Sequence, residues 1–129
     1  MKRIILLITL IFVVGLGSCM KAVEKNKIVY KTITQVEAKE IMDTTTGYII
    51  LDVRTLEEFN TGHIVGAINI PNEVILEEAL KVLTNKEQVI LVYCRSGRRS
   101  KEAASKLVEL GYRNVLEFGG IIDWTYEIE

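Results

Sequence analysis

Cys94 stands where a buried strand is predicted to end and a positively charged loop begins. Residues 89–93 form a continuous apolar run, and the five residues after the cysteine include three arginines and one glycine. Arginine side chains and a helix N-terminus lower the pKa of a cysteine from about 8.5 to about 3.5–7.5, and the thiolate is the nucleophilic form. The spacing therefore predicts a reactive Cys94 thiolate, in a loop that also favours binding of an anion.

Strands that alternate with helices are predicted on both sides of this loop. Apolar runs predict strands over residues 28–33, 48–51, 67–70 and 89–93, and a last short strand that begins at residue 115. Pairs of Thr and Glu at capping-box spacing predict helices after Thr34 and Thr55. This alternation is typical of an α/β domain with a mainly parallel sheet, in which sites lie at the carboxyl ends of the strands.

Two further helices are predicted from the spacing of apolar residues. Over residues 73–83, five apolar side chains fall largely on one helical face: Val74, Ile75, Leu76, Leu80 and Leu83. Residues 100–110 form an amphipathic helix that follows the Cys94 loop and ends before Gly111. Its inward face is expected to contain Ala103, Ala104, Leu107, Val108 and Leu110.

The loop after Cys94 resembles the active-site loop of the rhodanese (thiosulfate sulfurtransferase) family. Residues 51–54, 57–59, 62–64 and 66–71 resemble the N-terminal signature of that family, and Gly119-Gly120 with Trp124 resembles its C-terminal one. The resemblance implies a rhodanese-like three-layer α/β/α domain over residues 28–129, with a mainly parallel central sheet. It also implies that Cys94 carries a covalent persulfide, with no other cofactor, and that the substrate-binding residues are Arg95, Ser96, Gly97, Arg98 and Arg99.

Other polar residues are expected near the same edge of the sheet. Asp52 either orders the Cys94 loop or belongs to a structural ion-pair network, in which Glu58 is expected to hold Arg54. Ser100 is interpreted as a cap of the following helix as much as a site residue. The single histidine, His63, is interpreted as structural, because a thiolate stabilised by backbone dipoles needs no base. No metal site is expected, since no His, Cys and carboxylate residues have the spacing of metal ligands.

The predicted activity is transfer of sulfur from a small anionic donor, such as thiosulfate, to a nucleophilic acceptor, either cyanide or a thiol. An alternative enzyme is a cysteine phosphatase, whose loop has a Cys-x₅-Arg spacing; here the position six residues after Cys94 is Ser100. A dithiol oxidoreductase would need a second, resolving cysteine. The alternative outside enzymes is an inactive rhodanese-like module that only binds a partner.

The first 18 residues resemble a bacterial lipoprotein signal peptide. Two cations precede an apolar stretch over residues 4–14, and small residues lead to Cys19, as in a lipobox. Residues 19–27 would then be a lipidated cysteine and a tether, and the protein would be exported and anchored by lipid to a bacterial membrane, on its periplasmic or extracytoplasmic face. The alternatives are an ordinary signal peptide or an uncleaved helix, in which Cys19 is incidental.

Cleavage before Cys19 also decides the charge and the thiol content of the mature chain. Loss of Lys2 and Arg3 changes the formal net charge from −1 to −3, so no nucleic-acid partner is expected. Once Cys19 is acylated, Cys94 is the only free thiol of an exported chain, which points to a reactive residue rather than to a disulfide.

We predict that Cys19→Ala abolishes lipidation, because the acylated sulfur is lost. The variant should remain an uncleaved precursor or be released, as measured by fatty-acid labelling and membrane fractionation in a bacterial host. Cys94→Ser is the matched control, and it should be acylated like the wild type. A Cys19→Ala protein of mature size that still carries acyl chains would contradict the lipobox interpretation.

Overall fold

A five-stranded parallel sheet forms the centre of the protein, in a computed structural model that describes residues 27–129. The strands are β1 (Lys31–Thr32), β2 (Ile49–Asp52), β3 (Ile68–Asn69), β4 (Val89–Cys94) and β5 (Asn114–Gly120), and their spatial order is β1-β5-β4-β2-β3. All four pairings are parallel. The arrangement confirms the α/β domain expected from the sequence, and β4 lies at its centre.

Helices cover both faces of this sheet and make a three-layer α/β/α domain. They are α1 (Gln35–Thr44), α2 (Leu56–Thr61), α3 (Ile75–Val82) and α4 (Arg98–Glu109), with 3₁₀ turns at Asn72–Val74 and Ile121–Asp123. Alternate residues of β4 point to opposite faces, as a pleated strand requires. Ile90 and Val92 enter the core that contains the buried residues of α3 and α4, whereas Leu91 and Tyr93 enter the core on the side of α1.

Both predicted capping boxes are present. The Thr34 hydroxyl accepts a hydrogen bond from the Glu37 N–H at the start of α1, and the Glu37 carboxylate accepts one from the Thr34 N–H. Thr55 and Glu58 make the same pair at the start of α2. No helix among residues 27–129 is long and apolar enough to cross a bilayer.

The buried face of α3 differs from the one expected. Ile75 and Leu83 are buried, together with Ala79, whereas Val74, Leu76 and Leu80 are each at least 39% exposed. The physical reason is that α3 begins only at Ile75, after a 3₁₀ turn, and presents every fourth residue to the sheet. The Tyr112 hydroxyl lies against this face, within hydrogen-bond distance of the carbonyls of Ala79 and Leu83, and can donate to one of them.

The strand bounds also differ from the predicted ones, most of all at β1 and β5. β1 contains only Lys31–Thr32 rather than residues 28–33, and β5 runs on through Gly119 to Gly120. The end of β5 passes so close to the Cys94 loop that a Cβ on Gly120 would collide with the carbonyl of Arg95 and the Cα of Ser96. Only a glycine therefore fits at position 120. Its φ of −130° is extended and would suit any residue. This close approach holds β5 beside the loop that follows β4.

Candidate active site

Cys94 is the last residue of β4, and the loop that follows reaches α4 within three residues. The cysteine is only 1% exposed. Gly97 is the N-cap of α4 and has a φ of +108°, a left-handed conformation that side chains other than glycine rarely adopt. This turn reverses the chain and places the N-terminus of α4 against the sulfur, as the sequence predicts.

The Cys94 sulfur lies among hydrogen-bond donors. The Gly97 N–H donates to Sγ at 3.0 Å, and the Ser100 hydroxyl oxygen lies 3.5 Å from Sγ. Burial by itself raises the pKa of the thiol and is the largest single effect. Hydrogen bonds from the Ser100 side chain and from the N–H groups of Ser100, Gly97 and Ser96 outweigh it, so the pKa of Cys94 is lowered from its usual value. The loop therefore favours the thiolate.

Ser100 contributes to this site from inside α4 and does not cap the helix, contrary to the expectation from the sequence. α4 begins at Arg98, two residues before Ser100, because Gly97 already completes the turn. The buried Ser100 hydroxyl lies 2.9 Å from the Gly97 carbonyl and 2.7 Å from Oε1 of Glu117. Ser100 thus joins the sulfur to a carboxyl group on the neighbouring strand.

Glu117 is a residue of this site that the sequence analysis missed. It lies in the middle of β5, is fully buried, and accepts hydrogen bonds from the Thr32 hydroxyl at 3.1 Å and from the Gly119 N–H at 2.8 Å. The available signal was its phase: Glu117 is two residues after the buried Val115 and therefore faces the same side of the strand. The predicted strand was too short to include Glu117, so its burial was not predicted.

The three arginines of the loop have different surroundings. Arg95 is exposed, and its side chain makes no ion pair or hydrogen bond within residues 27–129. Arg98 is also exposed and pairs with Glu102, one turn further along α4, at 3.0 Å. Arg99 is largely buried and is held by both oxygens of Glu58, at 2.7 and 2.9 Å. Arg95 is therefore the guanidinium that is free to meet an anion at the loop.

The pair of Asp52 and Arg54 closes the turn between β2 and α2. Arg54 donates through Nε and Nη2 to the buried Asp52 carboxylate, at 3.0 and 2.6 Å, and Nη2 also reaches the Gly62 carbonyl. The expected pairing of Arg54 with Glu58 is therefore wrong, because Arg54 turns inward and Glu58 binds Arg99. The side-chain hydrogen bonds of Asp52 go to Arg54 and not to residues 95–99.

His63 lies in the same part of the chain as this turn. Its ring stacks on Phe59 with a centroid separation of 3.8 Å, and its nitrogens contact the Phe59 carbonyl and the Glu129 carboxylate. These contacts tie the C-terminus to α2. Among the residues that the structure describes, no group of three or more His, Cys, Asp or Glu could hold a metal ion.

Comparison with known proteins gives one consistent family. The family model described as a rhodanese-like domain matches residues 34–127. The thiosulfate sulfurtransferase PspE of Escherichia coli is 38% identical over 73 residues, which cover 57% of this chain and 70% of that protein. A protein named sulfurtransferase from Allochromatium vinosum is 36% identical over 82 residues, which cover 63% of this chain and 75% of that protein.

Solved structures agree with the family match. A rhodanese from E. coli, solved with anions, superposes with a TM-score of 0.60 at 34% identity, over 64% of this chain and 96% of that one. A rhodanese-related protein from Thermoplasma volcanium superposes with a TM-score of 0.67 at 30% identity, over 78% and 98% of the two chains. The three-layer domain expected from the sequence is thus confirmed as the fold of that family.

We predict that Glu58→Gln destabilises the fold at neutral pH by about 1–2 kcal/mol, because it removes a partly shielded ion pair with Arg99. The hydrogen bond from Arg99 lowers the pKa of Glu58 from 4.5 to about 2. A carboxyl with a depressed pKa in the folded state adds stability above its unfolded value, and that stability is lost as the pH falls through the folded value.

The difference in unfolding free energy between wild type and Glu58→Gln should therefore have its full value above about pH 5. It should be less than half of that value at about pH 3. Urea denaturation at both pH values measures it. The matched control is Glu57→Gln, the neighbouring exposed residue, which makes no ion pair in the described chain. A pH-independent difference would show that the ion pair is not its source.

Proposed function

Because the chain belongs to the rhodanese-like domain family, we propose that it is a thiosulfate sulfurtransferase in which Cys94 carries sulfur as a persulfide. The relatives named sulfurtransferases support sulfur transfer in general. One observation supports the more specific proposal. The Cys94 sulfur faces N–H groups of the loop and of α4, and the pKa of its thiol is lowered. A site of this kind stabilises an anionic sulfur before and after the transfer.

In the first step the Cys94 thiolate attacks the outer sulfur of thiosulfate. A new S–S bond forms between Sγ and that sulfur, the S–S bond of thiosulfate breaks, and sulfite leaves with the electron pair of that bond. Two charges on thiosulfate and one on the thiolate become two on sulfite and one on the persulfide. No proton and no external oxidant is needed, since the sulfur is transferred as a neutral atom.

The loop suits an anionic donor for two reasons. Thiosulfate carries two negative charges, and Arg95 offers an exposed guanidinium with no partner in the described chain, next to the nucleophile. The N–H groups that face Sγ give the outer sulfur of a persulfide the same kind of donors that the thiolate has. Binding and covalent storage would thus use the same loop.

In the second step a nucleophilic acceptor takes the outer sulfur. Cyanide would leave as thiocyanate and a thiolate would leave as a persulfide, and in both cases the electron pair of the broken S–S bond returns to Cys94. The charge is conserved, since the anionic acceptor becomes an anionic product and the persulfide becomes a thiolate. Cys94 is then ready for a second donor.

The two alternative activities find less support. A phosphatase loop would place an arginine where this chain has Ser100, whose hydroxyl lies between the sulfur and Glu117. A module that only binds a partner has no use for a thiol whose pKa is lowered by loop N–H groups. Both features favour sulfur chemistry at Cys94.

We also propose that the domain works outside the cytoplasm, held at a bacterial membrane by lipid on Cys19. Cys19 and the apolar stretch before it lie outside the described residues, so this proposal depends on the sequence pattern alone. The first described residues, from Lys27, lead directly into β1. A tether of this length would keep the domain close to the membrane surface.

Exposure of the soluble domain to thiosulfate should add one sulfur atom to Cys94, because the thiolate attacks and sulfite leaves. Mass spectrometry of the intact domain and of its peptides measures the added mass and its position. Cys94→Ser is the matched control and should gain no sulfur while unfolding at an unchanged temperature. Sulfur transfer by a folded Cys94→Ser protein would contradict the covalent mechanism.

Arg95→Ala should raise the KM for thiosulfate about tenfold, because a charge-assisted hydrogen bond contributes roughly 1.5–3 kcal/mol. Arg99→Ala should change KM less than about twofold, since Glu58 already holds that guanidinium. Steady-state kinetics at fixed ionic strength measure both, and Arg113→Ala, which changes an exposed arginine after α4, controls for net charge. If Arg95→Ala and Arg99→Ala each changed the KM equally and by less than twofold, the loop backbone alone would bind the donor.

A further inference from the structure

Among residues 27–129, the buried Glu117 is the one carboxyl group that contacts the hydrogen-bond network of the Cys94 sulfur, and the proposed reaction does not use it. Its two oxygens face three donors: the hydroxyls of Thr32 and Ser100 and the N–H of Gly119. Within residues 27–129 no Lys, Arg or His nitrogen lies within ion-pair distance of it. A carboxyl group surrounded only by donors is placed to act as an acceptor.

The hydroxyl of Ser100 has one hydrogen to donate and four possible acceptors: Glu117 Oε1, the carbonyls of Gly97 and Gly119 at 2.9 and 3.4 Å, and the Cys94 sulfur. Glu117 Oε1 lies 2.7 Å from Ser100 Oγ, whereas the Cys94 sulfur lies 3.5 Å from it. When Ser100 donates to Glu117, its oxygen presents lone pairs to the sulfur, and a protonated thiol donates to that oxygen. The carboxyl group therefore competes with the thiolate for the Ser100 hydrogen, whose donation to the sulfur helps to lower the pKa of Cys94.

We propose that Glu117 is a positioning residue that competes with the Cys94 sulfur for the Ser100 hydroxyl and keeps a second negative charge beside that sulfur. The two contacts of Ser100 limit the distance between Oε1 and Sγ to about 6 Å, the range over which like charges disfavour each other. Glu117 thus opposes the N–H groups of the loop. Together they keep the pKa of the thiol below its usual value without making the thiolate a weak nucleophile.

The charged groups around this pair come from few elements. α4 contributes Arg99, which Glu58 of α2 neutralises, and Lys101, whose Nζ lies 3.6 Å from the position of a Cβ on Gly97. The loop contributes the exposed Arg95. On the other side, β1 and α1 face the end of β5 with the uncharged Thr32 and Gln35. Glu117 Oε1 lies 4.0 Å from the same Cβ position on Gly97, so the Lys101 ammonium is close to this pair without being within ion-pair distance of Glu117.

The consequence for sulfur transfer rests on the function proposed above. A thiolate stabilised too strongly is a weak nucleophile, since nucleophilicity falls with pKa along a Brønsted slope of about 0.4–0.5. In the second step Cys94 is the leaving group, and a leaving thiol with a higher pKa departs more slowly. A nearby carboxylate makes the Cys94 thiolate less stable, so it favours the attack on the donor and slows the release to the acceptor.

Glu117→Gln tests this inference, because the amide keeps the shape and an acceptor oxygen but removes the charge. The pH dependence of alkylation by iodoacetamide gives the thiol pKa and the limiting rate of the thiolate. We expect the pKa to fall by about one unit and the limiting rate to fall about threefold. Glu109→Gln, the same change on an exposed residue at the far end of α4, should alter neither quantity.

Ser100→Ala supplies the second measurement and keeps the test valid if Glu117→Gln does not fold. Because Glu117 holds the hydroxyl, its loss from the wild type should raise the thiol pKa by no more than about half a unit. In the Glu117→Gln background the same change should raise the thiol pKa more, by about one unit, because a neutral amide oxygen competes less strongly than a carboxylate for the Ser100 hydrogen. An unchanged or raised pKa in Glu117→Gln, or a large effect of Ser100→Ala on the wild type, would overturn the inference.

Alkylation needs no sulfur donor, so the two proposals can fail separately. A wild-type protein that transfers no sulfur but shows the expected pKa shifts would refute the proposed function and leave the role of Glu117 standing. If sulfur transfer occurs, formation of the persulfide from thiosulfate should be about threefold slower in Glu117→Gln than in wild type, at a pH where both thiols are ionised. Equal rates of persulfide formation would contradict the effect of Glu117 on the reaction.

Discussion

The backbone turn at Gly97 determines the position of the donors around the Cys94 sulfur. β4 ends at the cysteine and α4 begins four residues later, so the chain must reverse within the loop. The left-handed conformation of Gly97 makes this possible and points its own N–H at Sγ. A side chain would have room here, but the positive φ would strain any other residue. The reactivity of the thiol therefore originates in one backbone conformation.

Contacts from neighbouring elements keep that short loop in place. β5 approaches so closely that only a glycine fits at Gly120, and the Ile122 N–H donates to the Arg95 carbonyl. On the other side, Glu58 caps the start of α2 and also binds Arg99 in the first turn of α4. One carboxylate thus joins two helices that begin at the same edge of the sheet. The loop has little freedom to move independently of the sheet.

Much of this arrangement follows from local sequence. The run before Cys94, the two Thr–Glu pairs and Gly111 after α4 are each decided within a few residues, and the structure has all of them as predicted. The partners of Arg54 and Arg99 could not be predicted this way. Glu58 is close to Arg54 in the sequence but binds Arg99, 41 residues away, and only the packing of α2 against α4 decides this pairing. The role of Glu117 required the full length of β5 and the orientation of α4, neither of which is encoded locally.

The short outer strands have a consequence for how the protein behaves at high concentration. β1 and β3 form the two edges of the sheet, and each has only two residues in the ladder. An edge strand exposes unpaired N–H and C=O groups that can pair with a strand of another molecule. Edges of two residues offer too few such groups for a stable intermolecular ladder. Because its edge strands are so short, the sheet is protected against aggregation through its edges, even though its central strands are strongly apolar.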